Sequence, residues 1–192
     1  ARGCDASPAI EPIALNRLGM KQISKGWTTM FERDLFRDQR ILITGGGTGL
    51  GRGMGETLMS LGADLVICGR REGVLKDAAA EMEAMHGRKV DCFAVDIRNA
   101  AAVDEMVEAA FATGPVTGLI NNAAGNFIAR TKDLSARGFD AIANIVMHGT
   151  FYVTHAVGRR WIEQGQPGAV VSILTTWIRN GGPFVVPSAM SK

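Results

Sequence analysis

A glycine-rich stretch, Thr44–Gly51, carries the clearest sign of chemistry in the chain. It follows the apolar run Ile41–Ile43 and precedes a helical pattern that extends to Leu61. Glycine lets a backbone turn tightly, lets it approach an anion without an intervening Cβ, and lets a helix pack close to a strand. The free N–H groups and positive dipole end of a helix that begins near Gly49 would then face a pyrophosphate. The stretch predicts a dinucleotide site that includes Gly45, Thr48, Gly49, Leu50 and Gly51.

Two arginines follow the next apolar run. Leu65–Cys68 leads into Gly69, Arg70 and Arg71. In a dinucleotide fold an acidic residue at this point binds the ribose hydroxyls, whereas a basic residue accommodates a 2′-phosphate. The planar donors of arginine bind two phosphate oxygens together. Arg70 and Arg71 therefore favour NADPH over NADH, and the alternative is two solvated arginines at the start of a helix.

Polar and small residues follow the third and fourth apolar runs. Asp96, beside Ile97, either binds the adenine amino group or is a turn residue that bonds its own backbone. The segment Asn121–Phe127 combines small residues, which permit close backbone approach, with asparagines, which hold loops and present donors. The segment alone could be a simple turn. Beside a phosphate loop we expect it to floor the cofactor site through Asn122, Ala123, Ala124 and Gly125.

The elements that position these residues alternate regularly from Arg40 onward. The apolar runs are Ile41–Ile43, Leu65–Cys68, Val90–Val95, Val116–Ile120 and Ala169–Ile173, and helical patterns cover about 50–61, 72–86, 100–113 and 135–164, where Gly149 could interrupt the last. This alternation predicts right-handed crossovers and a parallel sheet covered on both faces. The expected fold is a doubly wound α/β (Rossmann) sheet with strand order 3-2-1-4-5 and its ligand crevice at the carboxyl ends of the strands.

The same pattern predicts the domain organisation. Residues 30–192 are expected to form one dinucleotide-binding domain, and residues 1–29 a flexible extension, an upstream-translated tail or a cloning remnant. Because the chain stops soon after the fifth apolar run, at least one further βα unit is expected to be missing at the C-terminus.

Composition limits the classes of function. The chain has 192 residues, 46% hydrophobic, and its 21 Lys and Arg nearly balance 19 Asp and Glu. A net charge of +2 gives no strong field for nucleic acid or an anionic membrane. Three cysteines without CxxC spacing predict reduced thiols and a cytoplasmic location. The histidines lie apart from one another and from any cysteine cluster, so no metal site is expected.

Thr44–Gly51, Asn121–Gly125 and Lys192 together resemble the short-chain dehydrogenase/reductase superfamily over about residues 38–192. The resemblance implies a nicotinamide cofactor, hydride transfer, and a Tyr-x-x-x-Lys pair with a nearby serine. The chain departs from this pattern, since Ser188 precedes Lys192 by four residues and the sole tyrosine, Tyr152, lies in a helical pattern. The usual serine and helix asparagine positions read Thr175 and Val146. A generic alcohol dehydrogenase needs a phenol to move the hydroxyl proton, and this chain lacks that group at the expected position.

One branch of the superfamily shows the same departure. Residues 45–51, 121–128 and 184–189 closely resemble NADPH-dependent 2,4-dienoyl-CoA reductases of the mitochondrial type. The likeness implies hydride transfer to the far carbon of a conjugated acyl-CoA thioester, which produces an extended dienolate. Such chemistry needs an oxyanion donor more than a general base.

The resemblance also implies roles for four residues. Asn126 would donate a hydrogen bond to the dienolate oxygen, Lys192 would hold the nicotinamide ribose hydroxyls, and Ser188 would position a protonating water. Trp177 stands where the branch has a second, tyrosine donor. An indole N–H donates a hydrogen bond but has no proton to give at neutral pH. Trp177 therefore either stabilises the oxyanion or forms an aromatic wall.

Two other functions stay open: a short-chain reductase acting on another carbonyl or enoyl substrate, and a cofactor-binding but catalytically silent subunit. The expected partners are an acyl-CoA-type small molecule and further copies of the chain in a dimer or tetramer, without nucleic acid or membrane. By analogy with the superfamily, the long helical pattern that ends near Trp161 would supply the contact face.

Overall fold

Five strands form one parallel sheet in a computed structural model that describes residues 31–32 and 34–192. The predicted extension over residues 1–29, and Met30, lie outside the described residues. The strands are β1 Arg40–Thr44, β2 Asp64–Gly69, β3 Val90–Ala94, β4 Gly118–Asn121 and β5 Ala169–Ser172. They lie in the order β3-β2-β1-β4-β5, which confirms the predicted doubly wound α/β class and strand order.

Helices connect these strands and cover the sheet. They are α1 Gly49–Ser60, α2 Glu72–His86, α3 Ala100–Ala112, α4 Ala136–Ala143, α5 Gly149–Glu163, α6 Trp177–Asn180 and α7 Val186–Ser191. A 3₁₀ turn at Thr131–Asp133 precedes α4. The side chain of Ser135 caps α4 by accepting a hydrogen bond from the Gly138 N–H at 3.1 Å.

The single long helical pattern predicted over 135–164 is divided in the structure. A π-helical turn, Asn144–His148, separates α4 from α5, and α5 begins at the predicted interruption, Gly149. Gly149 packs directly on Ile97, where a Cβ would lie 2.7 Å from the Ile97 Cδ1. A π-helical turn changes the phase of a helix locally, and here it accompanies the close approach of α5 to the end of β3.

The core lies on both faces of the sheet because side chains alternate along each strand. In β1, Leu42 packs with residues of α3 and α5, whereas Ile41 and Ile43 pack with residues of α2 and β2. Trp161 closes the α5 side by donating from its Nε1 to the Val116 carbonyl at 2.6 Å. The four residues of β5 are exposed.

A buried ion pair ties the amino end of β1 to β3 and α3. Arg40 and Asp91 form it with side chains only 10% and 18% exposed. The Arg40 guanidinium also donates to the Ala110 and Gly114 carbonyls, each at 2.8 Å, and to the Thr113 hydroxyl at 2.7 Å. These carbonyls stand at the negative end of α3, where a cation is favourable. One side chain therefore fixes three elements at the edge of the sheet opposite the predicted crevice.

The pKa of Asp91 shows whether burial or hydrogen bonding has the larger effect on this carboxyl group. Burial tends to raise this pKa, but hydrogen bonds from Lys89 and Arg40 outweigh burial, so the pKa is lowered. A carboxyl whose folded-state pKa is lowered stabilises the fold above its unfolded pKa of about 3.9, and that stability is lost as the pH falls further. Acid should therefore weaken this end of the sheet.

Replacing Arg40 by Met should lower the free energy of unfolding at pH 7 by about 3 kcal/mol, because it leaves a buried carboxylate poorly paired. Urea unfolding measures this. The matched control is Arg37→Met, whose partner Asp34 lies in an exposed pair and whose loss should cost less than about 1 kcal/mol. Equal losses in the two variants would show that the Arg40 pair has no special role.

Candidate active site

The turn between β1 and α1 is built from glycines that no other residue could replace without strain. Gly45 and Gly49 have positive φ angles of +68° and +55°, a region that L-residues with a Cβ rarely occupy. Gly51, in the first turn of α1, packs on Gly45, and a Cβ there would lie 2.3 Å from the Gly45 carbonyl oxygen. The turn therefore brings α1 into direct contact with the end of β1.

Hydrogen bonds attach this turn to the end of β4. The buried Thr44 hydroxyl accepts from the backbone N–H groups of Asn122 and Ala123 at 3.0 and 2.9 Å. In return, the Asn122 side-chain amide donates to the Thr44 carbonyl at 3.0 Å and reaches the Gly45 carbonyl at 3.4 Å. Asn122 is thereby used to hold the glycine turn, and its neighbours form the adjoining floor.

A crevice of about 510 Å³ opens at the carboxyl ends of the strands, where doubly wound sheets bind their ligands. The N-terminus of α1 faces this edge, with no side-chain cap from Thr48 and no acidic residue in its first turn. The positive end of the helix dipole is therefore not neutralised by its own residues. The predicted residues that line the crevice are Gly45, Thr48, Leu50, Arg70, Arg71, Asp96, Ile97, Asn122, Ala123, Ala124 and Lys192.

Charged groups gather at the ends of β2 and β3. Arg70 and Arg71 are exposed and line the crevice. The Asp96 carboxylate accepts from the Arg98 Nε at 2.9 and 3.0 Å and from the Arg98 backbone N–H at 3.1 Å. Hydrogen bonding to Arg98 lowers the pKa of Asp96. Asp96 therefore bonds the backbone of its own turn, and it also lines the crevice.

Lys192 closes the other end of the crevice. Its Nζ donates to the carbonyl of Ile173, which follows β5 directly, and partial burial lowers its pKa. Ser188 is buried one helical turn earlier, and its carbonyl accepts from the Lys192 backbone N–H at 3.2 Å. The structure therefore places a serine hydroxyl, and not a phenol, one turn before this lysine.

Asn126 lies in an irregular segment whose neighbouring residues contact α4, the π-helical turn and the chain just before α7. Gly125 packs against Ile145, where a Cβ would lie 3.2 Å from Cδ1, and Phe127 contacts Gly138 in the same way. Further along, the Ala129 N–H donates to the Phe184 carbonyl at 3.2 Å, just before α7. Asn126 itself is exposed. Its side chain is therefore free for a ligand while its backbone is held on both sides.

Trp177 is the one aromatic side chain among the predicted site residues. Trp177 begins α6 and packs over Gly182, where a Cβ would lie 2.8 Å from the indole Cδ1 and 3.1 Å from Nε1. Tyr152 lies in α5, partly buried against the core, with its ring 6.1 Å from that of His148. His148 is exposed. Neither Tyr152 nor His148 lines the crevice.

Six predicted site residues lie outside the crevice lining: Gly49, Gly51, Gly125, Asn126, Ser188 and Trp177. Gly49, Gly51 and Gly125 shape backbone that adjoins the crevice. The sequence did not predict the roles of three residues. Thr44 holds the end of β4, Arg98 pairs with Asp96, and Ile145 lines the crevice. The Asp-x-Arg spacing after a strand could have indicated Arg98, and the position of Thr44 directly before the glycines could have indicated its role.

Residues 39–192 match the family described as short chain dehydrogenase. The chain belongs to the short chain dehydrogenase family. It is 44% identical over 154 residues to an uncharacterized oxidoreductase of Caenorhabditis elegans, covering 79% of this chain and 49% of that protein. It is 37% identical over 153 residues to a probable 2,4-dienoyl-CoA reductase of Bacillus subtilis, covering 79% and 60%.

A solved structure is similar in the same region. A short chain dehydrogenase from Bacillus anthracis superposes with a TM-score of 0.77 at 38% identity, over 81% of this chain and 64% of that one. The chain spans about half of the length of the first curated relative and 60% of the second.

Members of the short chain dehydrogenase family bind a nicotinamide cofactor, NAD or NADP. The crevice fits such a dinucleotide, because the positive φ angles of Gly45 and Gly49 and the close Gly45–Gly51 contact bring the N-terminus of α1 to the carboxyl end of β1. The uncapped start of α1 supplies positive potential for the pyrophosphate. Lys192 stands at the far end of the same crevice.

Within residues 31–32 and 34–192, no group of three or more His, Cys, Asp or Glu side chains could hold a metal ion. In the same part of the chain, no helix is long and apolar enough to cross a membrane.

Replacing Gly51 by Ala should lower the free energy of unfolding by about 2 kcal/mol or more, since the added methyl meets backbone rather than a flexible side chain. Binding of nicotinamide cofactor should weaken with it, because the turn must shift. Urea unfolding and calorimetric titration with NADPH measure the two effects. The control is Gly53→Ala in the same helix, where a Cβ meets nothing within 4 Å. A Gly51 variant that behaves like the Gly53 variant would disprove the role of the close contact.

Proposed function

We propose that the protein is an NADPH-dependent oxidoreductase that reduces a conjugated double bond of an acyl-CoA thioester, in the manner of a 2,4-dienoyl-CoA reductase. The observation that carries the proposal is Ser188 one turn before Lys192, in a chain whose sole tyrosine is in α5. A site without that phenol is poorly suited to carbonyl reduction, in which the new hydroxyl must receive a proton. It suits a reaction in which charge is delocalised first and protonated later.

The cofactor side of the proposal rests on the arginines at the end of β2. Arg70 and Arg71 line the crevice where a basic residue accommodates a 2′-phosphate. Bound NADPH would supply a hydride. Lys192 would hold the nicotinamide ribose through its ammonium group, which is partly buried and bonded to the Ile173 carbonyl. The same lysine would keep the ring close to the end of β5.

The substrate side depends on donors to the thioester oxygen. Negative charge reaches this oxygen when hydride adds to the far carbon of the diene, and a fixed donor then stabilises the dienolate. Asn126 is proposed as that donor, since its side chain is exposed and its neighbouring residues contact α4, the π-helical turn and the chain just before α7. Trp177 is proposed as a second N–H donor, and Ser188 as the group that positions a protonating water. The similarity to the Bacillus subtilis protein supports this substrate class.

Trp177 also favours one alternative. A bulky indole at the position of a smaller phenol changes the shape of the substrate site, and it packs over Gly182. A short-chain reductase with another carbonyl or enoyl substrate would use the same cofactor crevice. A panel of such compounds with NADPH separates the two functions, and binding without turnover on the whole panel would indicate a silent subunit.

A second copy of the chain is the proposed protein partner. The outer face of α5 presents an exposed apolar stripe, with Phe151 62% and Ile162 83% exposed. Met147 and His155 lie on the same face at helical spacing, and the Phe151 and His155 rings stack at 5.7 Å. We also propose a cytoplasmic location, which the free thiols of Cys68 and Cys92 support.

Replacing Asn126 by Ala should lower kcat for reduction of a 2,4-dienoyl-CoA by about 100-fold, because an oxyanion donor is lost. The assay is NADPH oxidation followed by its absorbance, and the affinity for NADPH should not change. Asn144→Ala, an exposed asparagine in the π-helical turn, is the control and should retain the wild-type rate. An unchanged rate in the Asn126 variant would remove this residue from the mechanism.

Replacing Arg70 by Ala should weaken NADPH binding by about tenfold, the equivalent of about 1.4 kcal/mol, and leave NADH binding nearly unchanged. The reason is that NADH lacks the 2′-phosphate. Calorimetric titration of both cofactors measures the difference, with Arg137→Ala on the exposed surface of α4 as a control. Equal weakening of the two cofactors would mean that Arg70 does not recognise this phosphate.

A further inference from the structure

The carboxylate of Asp96 accepts hydrogen bonds from both the side chain and the backbone of one residue, Arg98. Its Oδ1 accepts from the Arg98 Nε at 2.9 Å and the Arg98 backbone N–H at 3.1 Å, and its Oδ2 accepts from the same Nε at 3.0 Å and from Nη2. The two residues are separated by a single position in the turn after β3. Asp96 and Arg98 therefore form a local, bidentate ion pair between a guanidinium and a carboxylate.

Asp96 lies next to the two crevice arginines. The Val95 N–H donates to the Gly69 carbonyl at 2.8 Å, so Asp96 and Arg70 directly follow a bonded pair of residues on adjacent strands. Both side chains line the crevice. The positive charge of Arg70 also contributes to the lowered pKa of Asp96, after the larger effect of Arg98.

A carboxylate at this position creates a problem for an anion site. It would attract Arg70 away from a ligand, and its own negative charge would repel a phosphate bound nearby. In the structure, however, none of the ion pairs formed by residues 31–32 and 34–192 involves Arg70 or Arg71. The nearby carboxylate is paired with Arg98 instead.

We propose that Arg98 is a specificity-determining residue for the cofactor. By pairing with Asp96, it neutralises the carboxylate and leaves Arg70 and Arg71 free for the 2′-phosphate of NADPH. Arg98 acts through Asp96 and need not touch the phosphate. This inference rests on the proposed use of NADPH, and it adds a residue from the turn after β3 to a preference otherwise assigned to the end of β2.

The proposal predicts different results for two variants of the Asp96–Arg98 pair. Replacing Arg98 by Ala leaves the Asp96 charge unpaired, so the preference for the 2′-phosphate should fall by about tenfold. A nearby charge commonly shifts a pKa by about one unit, and one pKa unit is equivalent to a tenfold change in affinity. The double variant Asp96→Asn with Arg98→Ala removes the charge as well. It should recover the preference to within about threefold of wild type, since the carboxylate is the only intermediary.

The experiment is calorimetric titration of the protein with two adenosine fragments, 2′,5′-ADP and 5′-AMP. Their affinity ratio measures recognition of the 2′-phosphate without any contribution from the nicotinamide end or from turnover. Wild type, Arg98→Ala, Asp96→Asn, the double variant and Arg88→Ala are compared at low and at high salt. Arg88 is the matched control because it pairs with Asp64 at the amino end of β2, away from the crevice.

The outcomes separate this proposal from the one on which it rests. A wild-type protein with no preference for 2′,5′-ADP would contradict NADPH use itself. If wild type prefers 2′,5′-ADP, two results would overturn the role of Arg98: an unchanged affinity ratio in Arg98→Ala, even if both fragments bind more weakly, or a double variant that stays as weak as the single one. The last result would mean that Arg98 binds the phosphate directly. A loss that shrinks at high salt and is recovered in the double variant supports the proposal.

Discussion

The contact between the start of α1 and the end of β1 is the constraint on which the site depends. Gly51 packs on the Gly45 carbonyl, and Thr44 and Asn122 bond each other across β1 and β4. A helix dipole is useful to a ligand only within about one turn of its terminus, so α1 must come this close. The clamp from β4 then fixes the floor of the crevice against the same turn. The shape of the candidate cofactor crevice is thus a consequence of glycine sterics and four hydrogen bonds.

In the proposed function, recognition of the cofactor and reduction of the substrate depend on different groups of residues. At the end of β2 and β3, the charged groups that line the crevice are two arginines and one carboxylate, which is paired with Arg98. At the end of β4 and β5, Lys192 lines the crevice, whereas the proposed amide, serine hydroxyl and indole groups of Asn126, Ser188 and Trp177 lie outside its lining. None of these four groups is a strong acid or base in its usual state. Such a set can orient a ligand and stabilise an anion. It explains why a conjugated thioester, which delocalises charge by itself, is the proposed substrate.

Much of the fold was predictable because its signals are local. Apolar runs and helical periodicity placed the five strands and α1 to α3 within about two residues, and the glycine turn marked the start of α1. The division of the long helix was harder to predict. Its π-helical turn accompanies the contact of Gly149 with Ile97, residues that are far apart in sequence. The Thr44 clamp likewise exists only because β4 lies beside β1.

The candidate site was less predictable from the sequence than the fold. Residues with local signatures, such as Arg70, Arg71 and Asp96, lie together in the crevice, as the strand order requires. Arg98 was not among the predicted site residues although its spacing from Asp96 is local, because a carboxylate that follows a strand can also bind an adenine amino group or its own backbone. The roles of Asn126, Ser188, Lys192 and Trp177 came from resemblance. Their arrangement around a substrate depends on packing between α4, α6 and α7, which no short stretch of sequence encodes.

The most direct test of conjugate reduction is the destination of the hydride. A single turnover of the protein with a 2,4-dienoyl-CoA and NADPH that carries deuterium on the transferred position can be analysed by mass spectrometry and NMR of the enoyl-CoA product. The account predicts one deuterium, located at the far carbon of the former diene. Deuterium at the thioester carbonyl carbon, or a product without deuterium, would contradict it.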